Sequence, residues 1–338
     1  MNDRSKLRWG ILGAARVNER FLPAIVEAPN SELVAIASRR PGAAAETLAK
    51  YAPHQKGVQT YDTLDALLDD PRVEAVYLPL ANQEHAEWTL RAIERGKHVL
   101  CEKPMALRVE DIEAIEAAAR KQGVKVMEGF MYRFHPQHDR VKELIASGLI
   151  GDIRTVRSSY SFMIRPARMY RLAQDVAHGG GAMWDIGCYA IHTLRMIFEQ
   201  APVAVTALAK HVESGADSSA SGIVDYGDGK YAHFDFSFER ARRCEYEVIG
   251  TKGGLKCHVV WQLPPSDVPV ISWWTEDGRS STEQLPAANH FNLEIEHFSD
   301  CVLNDKAPGL SLEDAKANCR LILAALRSAE EGRTVKVE

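Results

Sequence analysis

Asp185, Tyr189 and His192 fall at i, i+4 and i+7 in the segment HGGGAMWDIGCYAIH, directly after Gly179, Gly180 and Gly181. Read as a helix beginning near Gly181, the three polar side chains share one narrow stripe. Met183, Ile186, Ala190, Leu194 and Ile197 form the opposite face, an apolar set that would anchor the helix to a core. Glycines ahead of a helix suit a phosphate cradle, an Asp with a His suits a metal, and a phenol with a carboxylate and an imidazole suits proton transfer. A buried helix whose polar face satisfies itself has the same pattern. The surrounding elements must decide.

Those elements begin with short apolar runs, LRWGILGAARV, ELVAIAS, VEAVYLPL, HVLCEKP and VKVMEGF, separated by amphipathic helical stretches. Buried strands alternating with helices imply right-handed βαβ units and an N-terminal Rossmann-type parallel sheet, placed at residues 1–125. The first strand turn carries only the first glycine of the G-x-G-x-x-G pattern, with Gly13, Ala15 and Asn18 at its three positions. Gly13, Ala14, Ala15, Arg16 and Val17 nevertheless occupy the strand-to-helix turn where backbone amides meet a dinucleotide pyrophosphate. The second strand ends in Ser38-Arg39-Arg40, where an NAD site usually offers an acidic residue. A hydroxyl beside two guanidiniums suits a 2'-phosphate, so NADP(H) is expected over NAD(H). Leu80, Asn82 and His85 follow the third apolar run, and Glu102, Lys103 and Pro104 the fourth. In open α/β sheets ligands bind at that strand edge, and an X-Pro bond is the one that can hold such a turn in cis.

At 338 residues two domains are expected. Residues 126–338 form the second, an α/β domain with a large, mostly antiparallel open sheet: PVAVTALAKHV, SSASGIVDYGDGKYAHFDFSF, RCEYEVIGTKGGLKCHVVW and VPVISWWT read as strands, with hairpin turns at GDGK and TKGG. The strand aromatics Tyr226, Tyr231, Phe234, Phe236 and Phe238 require a covered face, under helices or another subunit. Composition is that of a globular protein, 46% hydrophobic and 26% charged, and a net charge of -5 without a basic run argues against a nucleic-acid partner. No apolar run is long enough to span a bilayer, and no apolar leader with a cleavage site opens the chain. Six scattered cysteines without C-x-x-C fit reduced thiols, so a cytoplasmic protein is expected.

Together the near-Rossmann start, NQEH, EKP and GGGAMWDIGCYAIH resemble the Gfo/Idh/MocA family of oxidoreductases over essentially the whole chain. The resemblance implies a dehydrogenase or reductase acting on a CH-OH group, with hydride exchanged between a nicotinamide and a sugar, polyol or related carbonyl. It places the family's EKP lysine on Lys103, its helix aspartate on Asp185 and its proton-transfer residue on Tyr189. A tyrosine there is similar to the dihydrodiol dehydrogenase, glucose-fructose oxidoreductase and sugar-ketoreductase branches, whereas His192 stands where inositol dehydrogenase-like members often carry Asp. The resemblance also implies a homodimer or homotetramer built through the second sheet. A non-catalytic, dinucleotide-binding sensor or transcriptional regulator of the same fold is the alternative, against which the joint presence of Lys103, Asp185 and Tyr189 weighs.

Alcohol oxidation needs a group that takes the hydroxyl proton while the hydride leaves carbon. A phenol does so only with a cation close by, a part assigned to Lys103, with Asp185 holding Lys103 or a substrate hydroxyl. Acid-base work is therefore the expected use of the helix; one Asp, one Tyr and one His make a poor metal site. The three glycines are expected to let backbone pass close to substrate or nicotinamide. His192, Arg133, Arg168 and Tyr170 are the candidate substrate contacts, the last two from the long loop RPARMYRLAQDVAHGGG, which also carries Arg165. His135 stands with Arg133 just after a strand end.

Overall fold

The computed structural model describes residues 5–338, which divide into two compact units. One runs to Phe134 and adds Asn289–Lys316; the other is His135–Ala288 with Ala317–Glu338.

The first unit opens with β1 (Leu7–Leu12), α1 (Asn18–Glu27), β2 (Ser31–Ala37), α2 (Ala43–Tyr51), β3 (Gln59–Tyr61), α3 (Leu64–Leu68), β4 (Ala75–Leu78), α4 (His85–Glu94), β5 (His98–Glu102), α5 (Val109–Gln122) and β6 (Val126–Gly129). All six strands pair in parallel, in the order β3-β2-β1-β4-β5-β6. β4 and β6 are buried along their whole length, which is why these runs read as continuous apolar stretches rather than alternating ones. The strand order reverses between β1 and β4, and the carboxyl ends of those strands flank the switch point where such sheets take a ligand.

The second unit contributes α6 (Gln137–Ala146), β7 (Ile153–Ser161), α7 (Cys188–Phe198), β8 (Ala204–His211), β9 (Asp217–Asp225), β10 (Tyr231–Ser237), β11 (Arg243–Gly250), β12 (Gly253–Cys257), β13 (Val270–Thr275) and β14 (Ser280–Gln284). The chain ends with α8 (His290–Leu303), α9 (Leu312–Glu331) and β15 (Val335–Lys336). The nine-stranded sheet runs β14-β13-β12-β11-β7-β10-β9-β8-β15, antiparallel except for the β7–β10 pair. GDGK closes the β9–β10 hairpin, where Gly227, Asp228 and Gly229 all take positive φ, and TKGG closes β11–β12. α7 lies across β7 and β10, so Phe234, Phe236 and Phe238 are buried beneath helix, whereas Tyr231 points to the opposite, open face.

The division differs from a boundary at residue 125 in two ways. β6 is an edge strand of the first sheet, and α8 returns to that unit from the far end of the sequence. The physical reason is Trp9. Its indole N–H donates to Ser299 Oγ at 3.1 Å, its ring packs against Phe298 at 5.5 Å, and Asn30 Nδ2 donates to the Glu296 carbonyl at 2.8 Å. α8 is thus part of the first core.

Candidate active site

At the end of β1 the backbone turns through Gly13 at φ +136°, a conformation that side chains rarely adopt. A Cβ there would stand 3.0 Å from Leu80 Cδ2. Asn18, in the place of the third glycine, is fully buried and its Nδ2 donates to the Gly13 carbonyl at 2.8 Å, bracing the Ala14–Val17 turn that leads into α1. The missing glycines of the fingerprint are therefore replaced by a side-chain brace. Beyond β2, Ser38 is buried and its Oγ accepts the Arg40 amide at 3.1 Å. Arg40 Nη2 donates to the Ala14 carbonyl at 3.1 Å, while Arg39 pairs with Glu84. A glycine turn at a helix N-terminus, a hydroxyl and two guanidiniums, with no carboxylate closing β2, is a donor set that fits a dinucleotide carrying a 2'-phosphate.

Beyond β4 and β5, His85 is buried with Nδ1 2.7 Å from the Pro104 carbonyl oxygen and Nε2 3.1 Å from that of Leu80. It ties the turn after β4 to the turn after β5. The Lys103–Pro104 bond is cis, and Glu128 on β6 accepts the Met105 amide at 2.7 Å, a support no sequence motif advertises. Glu102 accepts a hydrogen bond from the Tyr77 hydroxyl, and Tyr77 stacks on Phe21. Asn82 and Lys103 are both buried, at 8% exposure each. Arg133 is half-buried in the turn Met131–Phe134 that follows β6.

In the second unit the segment expected to be one regular helix begins instead with a π-helical turn, Met183–Gly187, before α7. Asp185 lies in that wider turn, so it is out of regular α-helical phase with Tyr189 and His192. The expected division into polar and apolar faces gives way to burial on all sides: every residue from Ala182 to Leu194 is buried. The Asp185 carboxylate is held by Arg168 Nη2 at 2.8 Å and Arg171 Nη2 at 3.5 Å. Arg168, expected to contact substrate, is the counter-ion of Asp185, and its guanidinium also lies 5.1 Å from the Phe162 ring. Tyr189 is 7% exposed and sits edge-on to Tyr160 at 6.0 Å, with Trp261 at 6.4 Å. Thr193 Oγ1 donates to the Tyr189 carbonyl at 2.9 Å and accepts from Trp261 Nε1 at 3.3 Å, fixing helix and aromatic wall together. His192 is fully buried, while Tyr170 is exposed with the Arg171 guanidinium 5.2 Å from its ring.

Two of the three glycines are required by the protein's own packing. A Cβ on Gly180 would lie 1.9 Å from the Gln174 carbonyl oxygen, and one on Gly181 would lie 2.0 Å from Asp217 Oδ1. These glycines admit the preceding loop and a carboxylate of β9, the protein's own atoms. Asp217 is fully buried; its Oδ2 accepts the Met183 amide at 2.8 Å, and burial pushes its carboxyl up to about 7. Nothing in the sequence spacing singles it out. Among the described residues no group of three or more His, Cys, Asp or Glu is placed to hold a metal, and no helix is long and apolar enough to cross a membrane.

Residues 7–130 match the family model described as "Oxidoreductase family, NAD-binding Rossmann fold", and residues 138–256 match the GFO/IDH/MocA C-terminal domain. The chain is 33% identical to D-xylose 1-dehydrogenase (NADP(+)) 2 of Haloferax volcanii, across 98% of this chain and all of the relative. Among solved structures it is similar to a 3-ketoreductase from Actinomadura kijaniata in complex with NADP and TDP-benzene, with a TM-score of 0.88 and 31% identity over 96% of this chain and 98% of the other. An aldose-aldose oxidoreductase from Caulobacter crescentus, complexed with glycerol, superposes with a TM-score of 0.87 at 29% identity, covering 98% and 99% of the two chains. With both sheets matched and the likeness running nearly end to end, the chain belongs to the Gfo/Idh/MocA family of oxidoreductases.

Proposed function

We propose that the protein is an NADP(H)-dependent oxidoreductase that moves a hydride between the nicotinamide and a sugar, sugar derivative or related diol or carbonyl. Tyr189 is its proton donor or acceptor, and Lys103 supplies the positive charge that Tyr189 needs. One observation carries the reading: β2 closes on Ser38, Arg39 and Arg40 without a carboxylate, in a chain with one nearly full-length relative named for NADP(+) and another crystallised with NADP.

Bound nicotinamide supplies the hydride donor or acceptor. The protein's residues handle position and proton. Gly13 to Val17 receive the pyrophosphate, Ser38 and Arg39 the 2'-phosphate, with Arg40 closing over the Ala14 backbone; Leu80, Asn82 and Glu102 shape the strand-end wall, and His85 holds its two turns in register. In the reducing direction the Tyr189 phenol gives its proton to the substrate oxygen as charge develops there, and the Lys103 ammonium stabilises that charge. In the oxidising direction the same cation favours the phenolate that takes the proton. Tyr189 is buried beside Tyr160 and Trp261, and away from bulk water a charge brought to a phenol acts more strongly. Arg168 and Arg171 fix Asp185 and with it the start of the helix, leaving Arg133 and Tyr170 as the groups that meet substrate hydroxyls, while His192, fully buried, relays a proton or meets a hydroxyl only once substrate opens a way to it. The open face of the second sheet, where Leu208, Ile223 and Tyr231 stand exposed, joins copies into a homodimer or homotetramer.

The test is nicotinamide absorbance with NADP+ and a panel of aldoses, polyols and dihydrodiols, run beside Tyr189→Phe and Lys103→Met. Turnover of one substrate class should fall by about 10²–10⁴ in either variant while NADPH binding persists. Full turnover in Tyr189→Phe overturns the mechanism. NADPH binding without turnover of any panel member shifts weight to a ketoreductase with a specialised substrate or to the sensor.

A further inference from the structure

Arg39 and Arg40 leave the end of β2 in different directions. Arg40 donates to the Ala14 carbonyl, whereas the Arg39 guanidinium meets Glu84 in a two-bond fork, Nη1 at 2.5 Å from Oε1 and Nη2 at 3.0 Å from Oε2. Glu84 closes the short turn Asn82–Glu84 after β4, and its Oε2 also accepts the Ala81 amide at 3.4 Å. The carboxylate side chain is 22% exposed and the guanidinium 54%, so the acid is the better-anchored partner and the arginine reaches across to it. The end of β2 lacks an acid of its own; this pair brings one there from β4.

We propose that Glu84 is a specificity-determining residue: its carboxylate, fixed on Arg39, offsets part of the positive charge offered to a 2'-phosphate and so lets the site also accept a dinucleotide with a free 2'-hydroxyl. The inference rests on the assignment of Ser38 and Arg39 as the 2'-phosphate contacts. A dianionic phosphate drawn to Arg39 feels the neighbouring carboxylate as repulsion, while a neutral hydroxyl does not and finds in it an acceptor. Arg39 keeps the orientation that its fork imposes, which suits planar recognition of phosphate oxygens. Affinity for the two cofactors is thereby set by two opposed charges.

Glu84→Gln removes the charge and keeps the shape and a hydrogen-bond acceptor. Titrating wild type, Glu84→Gln and Arg39→Ala with NADPH and with NADH, followed by nicotinamide fluorescence at low and high salt, separates the possibilities. The ratio of NADPH to NADH affinity should rise about five- to tenfold in Glu84→Gln, and the gain should shrink at high salt because the pair is exposed enough to be screened. The ratio should collapse in Arg39→Ala. An unchanged or lowered ratio in Glu84→Gln, with collapse in Arg39→Ala, overturns the role of Glu84 and leaves the phosphate assignment standing. An unchanged ratio in Arg39→Ala overturns that assignment and the inference with it.

Discussion

Asp217 on β9 accepts the Met183 amide at 2.8 Å across a separation of 34 residues, and so pins the start of the segment that carries Asp185, Tyr189 and His192. Burial raises its carboxyl to about 7 against the opposing pull of the Met183 and Ala182 amides. In the unfolded chain an aspartate titrates near about 4. Between those values the folded protein holds a proton that the unfolded chain has released, so this group's contribution is complete at low pH, declines as pH rises, and levels off above about 7. Asp217→Asn should remove that decline: melting temperature measured from pH 4 to 8 should fall for wild type relative to the variant. Parallel curves would refute it.

Arg168 and Asp185 form a pair in which the side chains are 14% and 4% exposed. Arg168→Leu takes the shorter of the two arginine contacts from a buried carboxylate, and should cost about 3 kcal/mol in urea unfolding. Because the pair braces the start of the helix and lies outside the cofactor unit, turnover should fall while NADPH affinity holds. A variant as stable as wild type would show that the pair contributes nothing.

Gly181 and Gly42 both take positive φ, +97° and +77°, but only Gly181 has a carboxylate where a Cβ would go. Gly42→Ala should cost about 1 kcal/mol, the conformational penalty alone. Gly181→Ala must in addition displace Asp217, and should cost at least twice as much and depress turnover. Equal losses at the two positions would mean that the contact with Asp217 is easily relieved.

Much of this arrangement could be read in the chain beforehand, for identifiable reasons. Strands buried on both faces leave continuous apolar runs, so the parallel sheet and its strand ends were visible, and with them Gly13, Ser38, Arg39 and Lys103. Hairpin turns that need positive φ leave glycines, so the second sheet was visible too. What spacing does not encode is contact between distant residues: Asp217 behind Gly181, Glu128 under Met105, Arg171 on Asp185, Glu84 on Arg39. A glycine records that something comes close without saying whether it is a ligand or the protein itself, and at Gly180 and Gly181 the protein's own atoms come close. The π-helical turn was hidden because no spacing in Met183–Gly187 marks it off from an α-helical one, although Gly187 records a close neighbour: Phe236 stands 2.6 Å from where its Cβ would lie.

Leu208 on β8, Ile223 on β9 and Tyr231 on β10 share the open face of the second sheet, at 74%, 47% and 46% exposure. Ile223→Asp should reduce the mass measured by light scattering to that of a monomer without lowering the melting point of the fold. A wild-type monomer at micromolar concentration would rule out assembly through this face.

The bond between Trp9 and Ser299 spans 290 positions. On a ribosome adding about 5–20 residues per second, the first sheet is complete at β6 while α8 is still on the order of ten seconds from being made. Throughout that interval the indole of the nascent sheet has Phe21 beside it but lacks Phe298 and the Ser299 hydroxyl that accepts its N–H. The emerging nucleotide unit is thus a natural client for a chaperone, and a chain cut before residue 290 should be held by one rather than released.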